Sequence, residues 1–400
     1  MQKRLFFLIT MFFVMTSTAF AQITTSGISG KVTSQGEDVI GATVTATHQP
    51  SGTIYRAVTN IDGRYTIDGM RVGGPYKVEI AYIGQKTKIF QNVNLQLGET
   101  EDLSCKLEED SKQLQEVVVT GNAGINGTKT GAAQAISSKQ IAEMPSITHS
   151  IADVARLNPQ LTTSSNGAMS FAGTSNRYNS FMIDGAMNND VFGLAANGSN
   201  GGQAGGQPVS METIEQIQVN IAPFDVRQSG FTGGAINAIT KSGTNQFHGS
   251  VYGFGNNQNL IGHSYPYSDG TGYAPKYTKQ DEYQAGFTLG GPIIKNKLFF
   301  FVNYEHANKT YPNLNGYGQE GSRVNVEEAD GILAKIKEMA AKQGIEYTGG
   351  FGNPDIYTKS DKIGAKIDWN INESNKFSFR WSNVTANQLN NTSSASTVND

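Results

Sequence analysis

The chain has 400 residues, a formal net charge of −3 and only 16% charged residues, so no basic field is present to hold nucleic acid. Its 46 glycines, 16 tyrosines and 20 phenylalanines suit a turn-rich, mainly β chain with aromatic faces and argue against a helical cytosolic enzyme. This length predicts two or three domains. At the amino terminus Lys3 and Arg4 precede the apolar run LFFLITMFFVM, and Ala19-Phe20-Ala21 supplies a small-x-small cleavage pattern. Residues 1–21 therefore read as a signal peptide cut before Gln22. A membrane anchor fits less well, because the apolar run is short and polar TSTA follows it at once. The single cysteine, Cys105, has no internal disulfide partner and alternates with Leu103 and Leu107, which predicts a buried strand position.

Residues 22–107 form a first unit of short runs with two-residue alternation, among them ISGKV, ATVTATH, TIYRAVT, RYTI, YKVEIAY, TKIFQNV and EDLSCKL. Turn compositions separate them, and Asp62-Gly63 stands where a tight hairpin needs positive φ. Seven strands spaced in this way predict an antiparallel β-sandwich. The stretch ISGKVTSQGEDVIGATVTA…TNIDGRYTI resembles the carboxypeptidase-regulatory-like domain, a transthyretin-like sandwich. The stretch holds no HxxE or HExxH pair for zinc, and His48, near a strand end, is expected at the surface.

Residues 108–127 are a linker carrying QLQEVVVTGN. Three successive β-branched residues make poor helix and good strand, with no evident mate in the neighbouring sequence. Such a segment is an aggregation hazard or a docking strand for another chain. EVVVTG (Glu116, Val117, Val118, Val119, Thr120, Gly121) resembles the TonB box of outer-membrane TonB-dependent transporters, and its place after a carboxypeptidase-like module fits. An ordinary strand of the sandwich, or of the unit that follows, is the plain alternative.

Residues 128–243 mix short helices and strands, which predicts a small α+β domain. Helices are expected at SSKQIAEMP (137–145) and SITHSIADVARLNP (146–159), and strands at SFMID, IEQIQVN and GGAINAITKSG. The order IADVARLNP, FMIDG, METIEQIQV, GGAINAITKSGTN resembles the plug domain of the same transporters, in the form of the Oar-like, SusC/RagA-related branch. FAGTSNRYNS stands where the family often has an arginine-glycine pair. NGSNGGQAGGQ (197–207) lacks the Lys-Ser/Thr of a phosphate loop and reads as a mobile loop near the outer apex of this domain or at a junction with the barrel. DGAMNND reads as a turn, since its spacing is not that of an EF-hand loop.

From residue 244 to 400 long alternating strands are expected. Tyr283, Ala285, Phe287 and Leu289 share one face; so do Ile363, Ala365, Ile367 and Trp369, and Phe377, Phe379 and Trp381. Lysine, arginine, glycine and serine occupy the opposite faces, which fits a transmembrane barrel with lipid outside and a wet lumen. GGPIIKNKLFFFVNYE resembles a hairpin common in these barrels, SYPYSDGTGYAPKYTKQ (264–280) is expected as a loop, and residues 324–343 as a short amphipathic helix whose Met339 packs. The fold class expected is therefore mainly β: a transthyretin-like sandwich, an α+β plug and the first strands of an incomplete antiparallel barrel. By resemblance a complete transporter uses many more strands, so the chain reads as a fragment or a truncated gene product.

The resemblance implies a receptor for energy-coupled uptake of a nutrient too large for porins, such as a glycan, a peptide or a metal chelate. Its partners would be a TonB-type energy-transducing protein of the inner membrane, outer-membrane lipid and, in some members, a surface lipoprotein; nucleic acid is not among them. An adhesin or assembly protein of the same architecture, without import, is the alternative. No catalytic constellation stands out, the five histidines show no metal spacing, and no cofactor is expected.

Overall fold

The computed structural model describes residues 24–109, 117–120, 132–144, 146, 149–164, 168–190, 192–195, 198–221, 230–261, 279–311, 326–350 and 355–389. The expected signal peptide, Glu116, Gly121 and most of the expected loop at 264–280 lie outside these residues.

The first unit comprises β1 (Ser26–Ser34), β2 (Glu37–Asp38), β3 (Thr43–His48), β4 (Thr53–Val58), β5 (Arg64–Met70), β6 (Gly73–Ala81), β7 (Lys88–Leu95), β8 (Thr100–Asp102) and β9 (Cys105–Leu107). The short segment β10 (Val117–Thr120) follows in the chain. One sheet is built on β1, which pairs antiparallel with β2 and β5 and parallel with β8 and β9. The second has the order β10-β7-β6-β3-β4. Between the sheets lies one apolar core that includes Ile28, Val44, Tyr65, Tyr76, Val78, Ile80 and Leu95, with Cys105 half-buried at its margin. The sandwich is thus of mixed rather than wholly antiparallel pairing, because the chain returns from the second sheet to lay β8 and β9 alongside β1. At the β4–β5 turn Asn60 Oδ1 accepts from the N–H groups of Asp62 and Arg64. Gly63 sits there at φ 66°, where a Cβ would come within 2.6 Å of the Val32 carbonyl oxygen.

His48 is not at the surface. Strand parity places Val44, Ala46 and His48 on the inner side of β3, and His48 is 5% exposed. Its Nδ1 lies 2.7 Å from Ser51 Oγ, and its ring is 4.9 Å from that of Tyr76.

The second unit carries β11 (Ala132–Ser137), α1 (Ser138–Glu143), α2 (Ile151–Ala155), β12 (Leu161–Thr163), β13 (Met169–Phe171), β14 (Ser180–Ile183), β15 (Ala186–Met187), β16 (Ile214–Ile221) and β17 (Gly234–Thr240). Its main sheet runs β11-β16-β17-β14-β15 and rests on a core that includes Ile136, Ile151, Val154, Phe171, Ile217, Val219 and Ile236. Ser137 and Gln140 form a reciprocal capping box that starts α1. The helix expected over 146–159 is confined to five residues. His149 adopts φ 46°, Ser146 Oγ accepts its N–H, and the chain must restart at Ser150, which caps α2. Leu157, expected in the apolar stripe, is exposed.

The third unit is a five-stranded antiparallel meander of β18 (His248–Asn257), β19 (Asp281–Ile294), β20 (Leu298–Tyr311), β21 (Ile356–Asn370) and β22 (Lys376–Leu389). Strands β19 to β22, of 14 or 15 residues each, are at ~3.4 Å per residue long enough to cross an apolar band ~25 Å tall while tilted. The register stacks Phe287 beside Tyr304 and Ile363, and Leu289 beside Val302, Ala365 and Trp381. Phe287, Leu289, Ile363, Ile367, Trp369, Phe377, Phe379 and Trp381 are all exposed on this outer face, as the alternation required. The other face carries Thr288, Glu305, Ser360, Lys362 and Lys366, all buried. Short turns join the strands at one end, and long connections join them at the other. The 17-residue α3 (Val326–Lys342) belongs to the second of those connections. It buries only Ala329, and Met339 is exposed rather than packed.

Candidate functional site

The ribbon expected to lack a mate has one. The backbone of β10 pairs parallel with β7, Val117 opposite Lys88 through Thr120 opposite Gln91. It occupies the end of its sheet, so among the described residues its far edge carries no partner. That pairing is the plain alternative raised above, a strand of the sandwich; which strand it joins is not legible in the sequence, because the pairing is non-local and parallel and no turn signal announces it.

The buried face of the meander meets the second unit at two charged clusters, one on Glu305 and one on Asp184. Lys362 Nζ lies 2.5 Å from Glu305 Oε1, with both side chains about 5% exposed or less. The second Glu305 oxygen accepts from Tyr252 at 2.9 Å and from Ser210 Oγ, a residue of the central unit. Asp184 forms a second hub. Its carboxylate accepts from Thr240 N at 2.8 Å and Thr240 Oγ1 at 2.6 Å, and it faces Lys366 at 3.5 Å and Arg380 at 3.3 Å. The DGAMNND turn read from sequence is present, with Asp184 at φ 48°, but the carboxylate serves an ion-pair hub. Among the described residues no group of three or more His, Cys, Asp or Glu could hold a metal.

At the short-turn end the sandwich seats on both other units. Arg71 lies 3.0 Å from Asp368, and Arg56 lies 2.6 Å from Glu373. Asn370 donates to Thr53 Oγ1 at 2.9 Å, and Lys376 lies 3.7 Å from the Tyr55 ring centroid. Asn245 N donates to the Pro50 carbonyl at 2.8 Å, and a Cβ on Gly52 would strike Asn296. Toward the central unit, the Leu97 N–H donates to Gln216 Oε1 at 3.0 Å, and the Leu97 carbonyl accepts from Gln218 at 2.6 Å. Val72 and Leu97 share a small apolar cluster with Ile239.

At the long-loop end an open cavity of about 560 Å³ lies between the central unit and β22. Phe192 and Leu194 line it and stand 85% and 61% exposed, and Gln203, Ala386 and Gln388 share the lining. Asp190 also lines it, but its carboxylate is occupied by the N–H groups of Phe192 and Ala195, which hold it below the usual carboxylate range. The Gly-rich stretch, read as a loop at the apex or at a junction with the barrel, supplies part of this wall through a 3-10 turn at Gly202–Ala204.

Three family models match the chain in succession. "Carboxypeptidase regulatory-like domain" covers residues 27–108, "TonB-dependent Receptor Plug Domain" residues 127–236, and "Outer membrane beta barrel domain" residues 239–319. The TonB-dependent transporter Oar of Myxococcus xanthus is 30% identical over 214 residues, which is 50% of this chain and 19% of that protein. The probable TonB-dependent siderophore receptor PirA of Acinetobacter baumannii is 31% identical over 139 residues, 34% of this chain and 15% of that one. The chain thus spans about a fifth or less of the length of these relatives. Among solved structures, the A. baumannii siderophore receptor PirA overlaps 64% of this chain and 32% of its own, at TM-score 0.42 and 19% identity. The ferric enterobactin receptor PfeA of Pseudomonas aeruginosa overlaps 65% and 34%, at TM-score 0.43 and 15% identity. Sandwich, plug and lipid-facing meander, matched in that order, make this chain a member of the TonB-dependent receptors of the outer membrane that carry an N-terminal carboxypeptidase-regulatory-like domain.

Proposed function

We propose that the protein serves energy-coupled uptake of a nutrient too large for porins, and that a TonB-type protein of the inner membrane grips Glu116 to Gly121 by strand addition. The observation that carries this reading is the position of β10 at the end of a sheet, with its outer backbone edge unmatched among the described residues. An incoming strand gains main-chain hydrogen bonds there with little dependence on side chains. The short turns and the sandwich would face the periplasm, and the cavity under the long loops would face the medium. Cargo would bind at that outer mouth, on plug loops and barrel loops. Phe192 and Leu194 offer an apolar platform, and Gln203 and Gln388 offer neutral hydrogen-bonding groups. That lining favours a glycan or peptide over an anionic metal chelate.

The test is Val118→Pro in the full-length receptor, which removes one backbone donor from the ribbon. Uptake should collapse while ligand still binds at the cell surface. Undiminished accumulation would favour the second reading, an adhesin or assembly protein without import.

A further inference from the structure

The charged cluster on Asp184 is unevenly filled. Two cations of the barrel wall, Lys366 and Arg380, face one carboxylate of the central unit, at 3.5 and 3.3 Å. The carboxylate makes its short contacts within its own unit, accepting from Thr240 N at 2.8 Å and Thr240 Oγ1 at 2.6 Å. Asp184 is therefore satisfied without the wall. Lys366 has a second anchor, because its Nζ also donates to the Thr240 carbonyl at 3.1 Å. Arg380 approaches Asp184 through Nε and forms no other ion pair among the described residues. The neighbouring wall charges are matched, Lys362 with Glu305 and Asp368 with Arg71. Two cations against one carboxylate leave the cluster with an excess positive charge, on side chains only 9% and 20% exposed.

A crevice joins this cluster to the outer mouth. A cavity of about 20 Å³ is bounded by Lys366, Arg380, Ser382 and Val384, and is roomy enough for a water but not for a carboxylate. Val384 also lines the outer cavity, with Ala386 and Gln388 farther along the same face of β22. The Gly-rich loop crosses the wall between the two spaces. Gly201, Gln203 and Ala204 line the outer one, and Pro208, Val209 and Ser210 line the inner one. At the crossing the loop lies close against the wall, where a Cβ on Gly206 would come within 3.0 Å of Ala386 Cβ. A small shift of that loop connects the spaces.

We propose that Lys366 and Arg380 form a receiving site on the barrel wall for a carboxylate of the cargo, filled by Asp184 at rest and by the cargo once the plug shifts. This rests on the uptake reading above and narrows it to cargo that bears a carboxylate, whether a uronic acid or a peptide acid. A guanidinium and an ammonium held out of water bind a carboxylate more strongly than neutral donors do. Exchange is easy, because Asp184 keeps both Thr240 bonds when the wall cations turn to another acid. The neutral glutamines of the outer cavity hold cargo without reading its charge, and the charge is read one step further in.

The first test uses acetate as the probe on the full-length receptor in detergent. Asp184 sits at φ 48°, a conformation glycine adopts freely, so Asp184→Gly removes the carboxylate and leaves the backbone at ease. Sodium acetate should raise the thermal midpoint of this variant saturably above the effect of sodium chloride at equal concentration. The wild type, whose own carboxylate fills the place, should respond alike to both salts. Adding Arg380→Gln to Asp184→Gly should raise the half-saturating acetate concentration roughly ten-fold. Equal responses of Asp184→Gly to the two salts, or an acetate response untouched by Arg380→Gln, would overturn the site.

The second test asks what cells remove from the medium with and without the receptor. A pectin digest and a casein digest are each offered as such and with their carboxyl groups amidated, and depletion is followed by mass spectrometry. Receptor-dependent depletion should fall on the unmodified species and drop several-fold with Arg380→Gln; the digest that is depleted names the source of the acid. Amidated species taken up equally well would overturn the selection. No receptor-dependent depletion from either digest would count against the uptake reading, and the acetate titration would then judge the site by itself.

Discussion

The Arg71 guanidinium of the sandwich stands 3.0 Å from the Asp368 carboxylate of the barrel wall, with the two side chains only 22% and 16% exposed. Asp368 also accepts from Ser378 Oγ at 2.7 Å, so the barrel wall holds the carboxylate as well. The Arg56–Glu373 pair lies at the same interface but is 51% and 59% exposed. Solvent screening makes such a pair worth ~0–1 kcal/mol, whereas a hydrogen-bonded charge withdrawn from water is worth roughly 1.5–3 kcal/mol. Arg71→Ala should therefore loosen the sandwich, and Arg56→Ala should do little. Limited proteolysis between sandwich and barrel in the full-length receptor would read the difference; equal rates for the two variants would contradict it.

The Glu305–Lys362 pair makes a sharper prediction, because neither charge has water to fall back on. Removing one member strands the other, which typically costs ~3–5 kcal/mol. Glu305→Ala leaves Lys362 buried and also frees the hydroxyls of Tyr252 and Ser210. Glu305→Leu combined with Lys362→Met removes both charges and should cost much less than Glu305→Ala alone. Thermal unfolding of the full-length protein in detergent would order the variants. A double variant as unstable as the single one would show that the hydroxyl contacts, rather than the stranded charge, dominate.

Most of this architecture was legible wherever its cause is local. Two-residue alternation placed Phe377, Phe379 and Trp381 on the lipid face and Ser378, Arg380 and Ser382 behind them, because a strand side chain must go to one face or the other. The same rule, applied to Val44, Ala46 and His48, would have put His48 indoors; its polarity and its place at the strand end argued the other way. What escaped was non-local. Asp184 lies in a turn that DGAMNND announces, but its partners Lys366 and Arg380 come from strands far along the chain. Nothing in the turn's composition points to them. The pairing of Val117–Thr120 with Lys88–Gln91 was hidden for the same reason: register between distant strands is set by the assembled sheet.

Phe192 separates binding from folding. Its side chain is 85% exposed over the outer cavity, so Phe192→Ala removes almost no buried surface. Stability should change by less than about 0.5 kcal/mol, as for surface sites in general. If the cavity receives cargo, the KM for uptake should rise several-fold while the maximal rate holds, since a platform made only of ground-state contacts affects binding alone. A lower maximal rate at unchanged KM would move Phe192 from the binding platform to the translocation step.

His48 gives the sandwich a pH dependence whose sign can be worked out. Burial, with a smaller contribution from the positive charge of Arg71, brings its pKa from 6.5 down to about 3. Above pH 6.5 the ring is neutral whether folded or unfolded and contributes no slope. Between pH 6.5 and about 3 the unfolded chain takes up a proton that the folded one refuses, so stability falls as pH falls. Full expression of such a shift is worth a few kcal/mol at most, at ~1.4 kcal/mol per pH unit. Glu101 opposes this near its own titration, because burial raises its pKa and makes the folded state the better proton acceptor there. Comparing the wild type with His48→Asn cancels that contribution. The protection factors of the β3 and β4 amides in the full chain, which divide out the pH dependence of intrinsic exchange, should fall in the wild type from pH 6.5 downward and stay flatter in the variant. The Ser51–Thr53 hydrogen bonds sit between His48 and Asn370 at the barrel turn, so the contact of Thr53 with the rim should loosen over the same window. Identical pH profiles for the two proteins would show that the ring is protonated, or released to solvent, without strain on the fold.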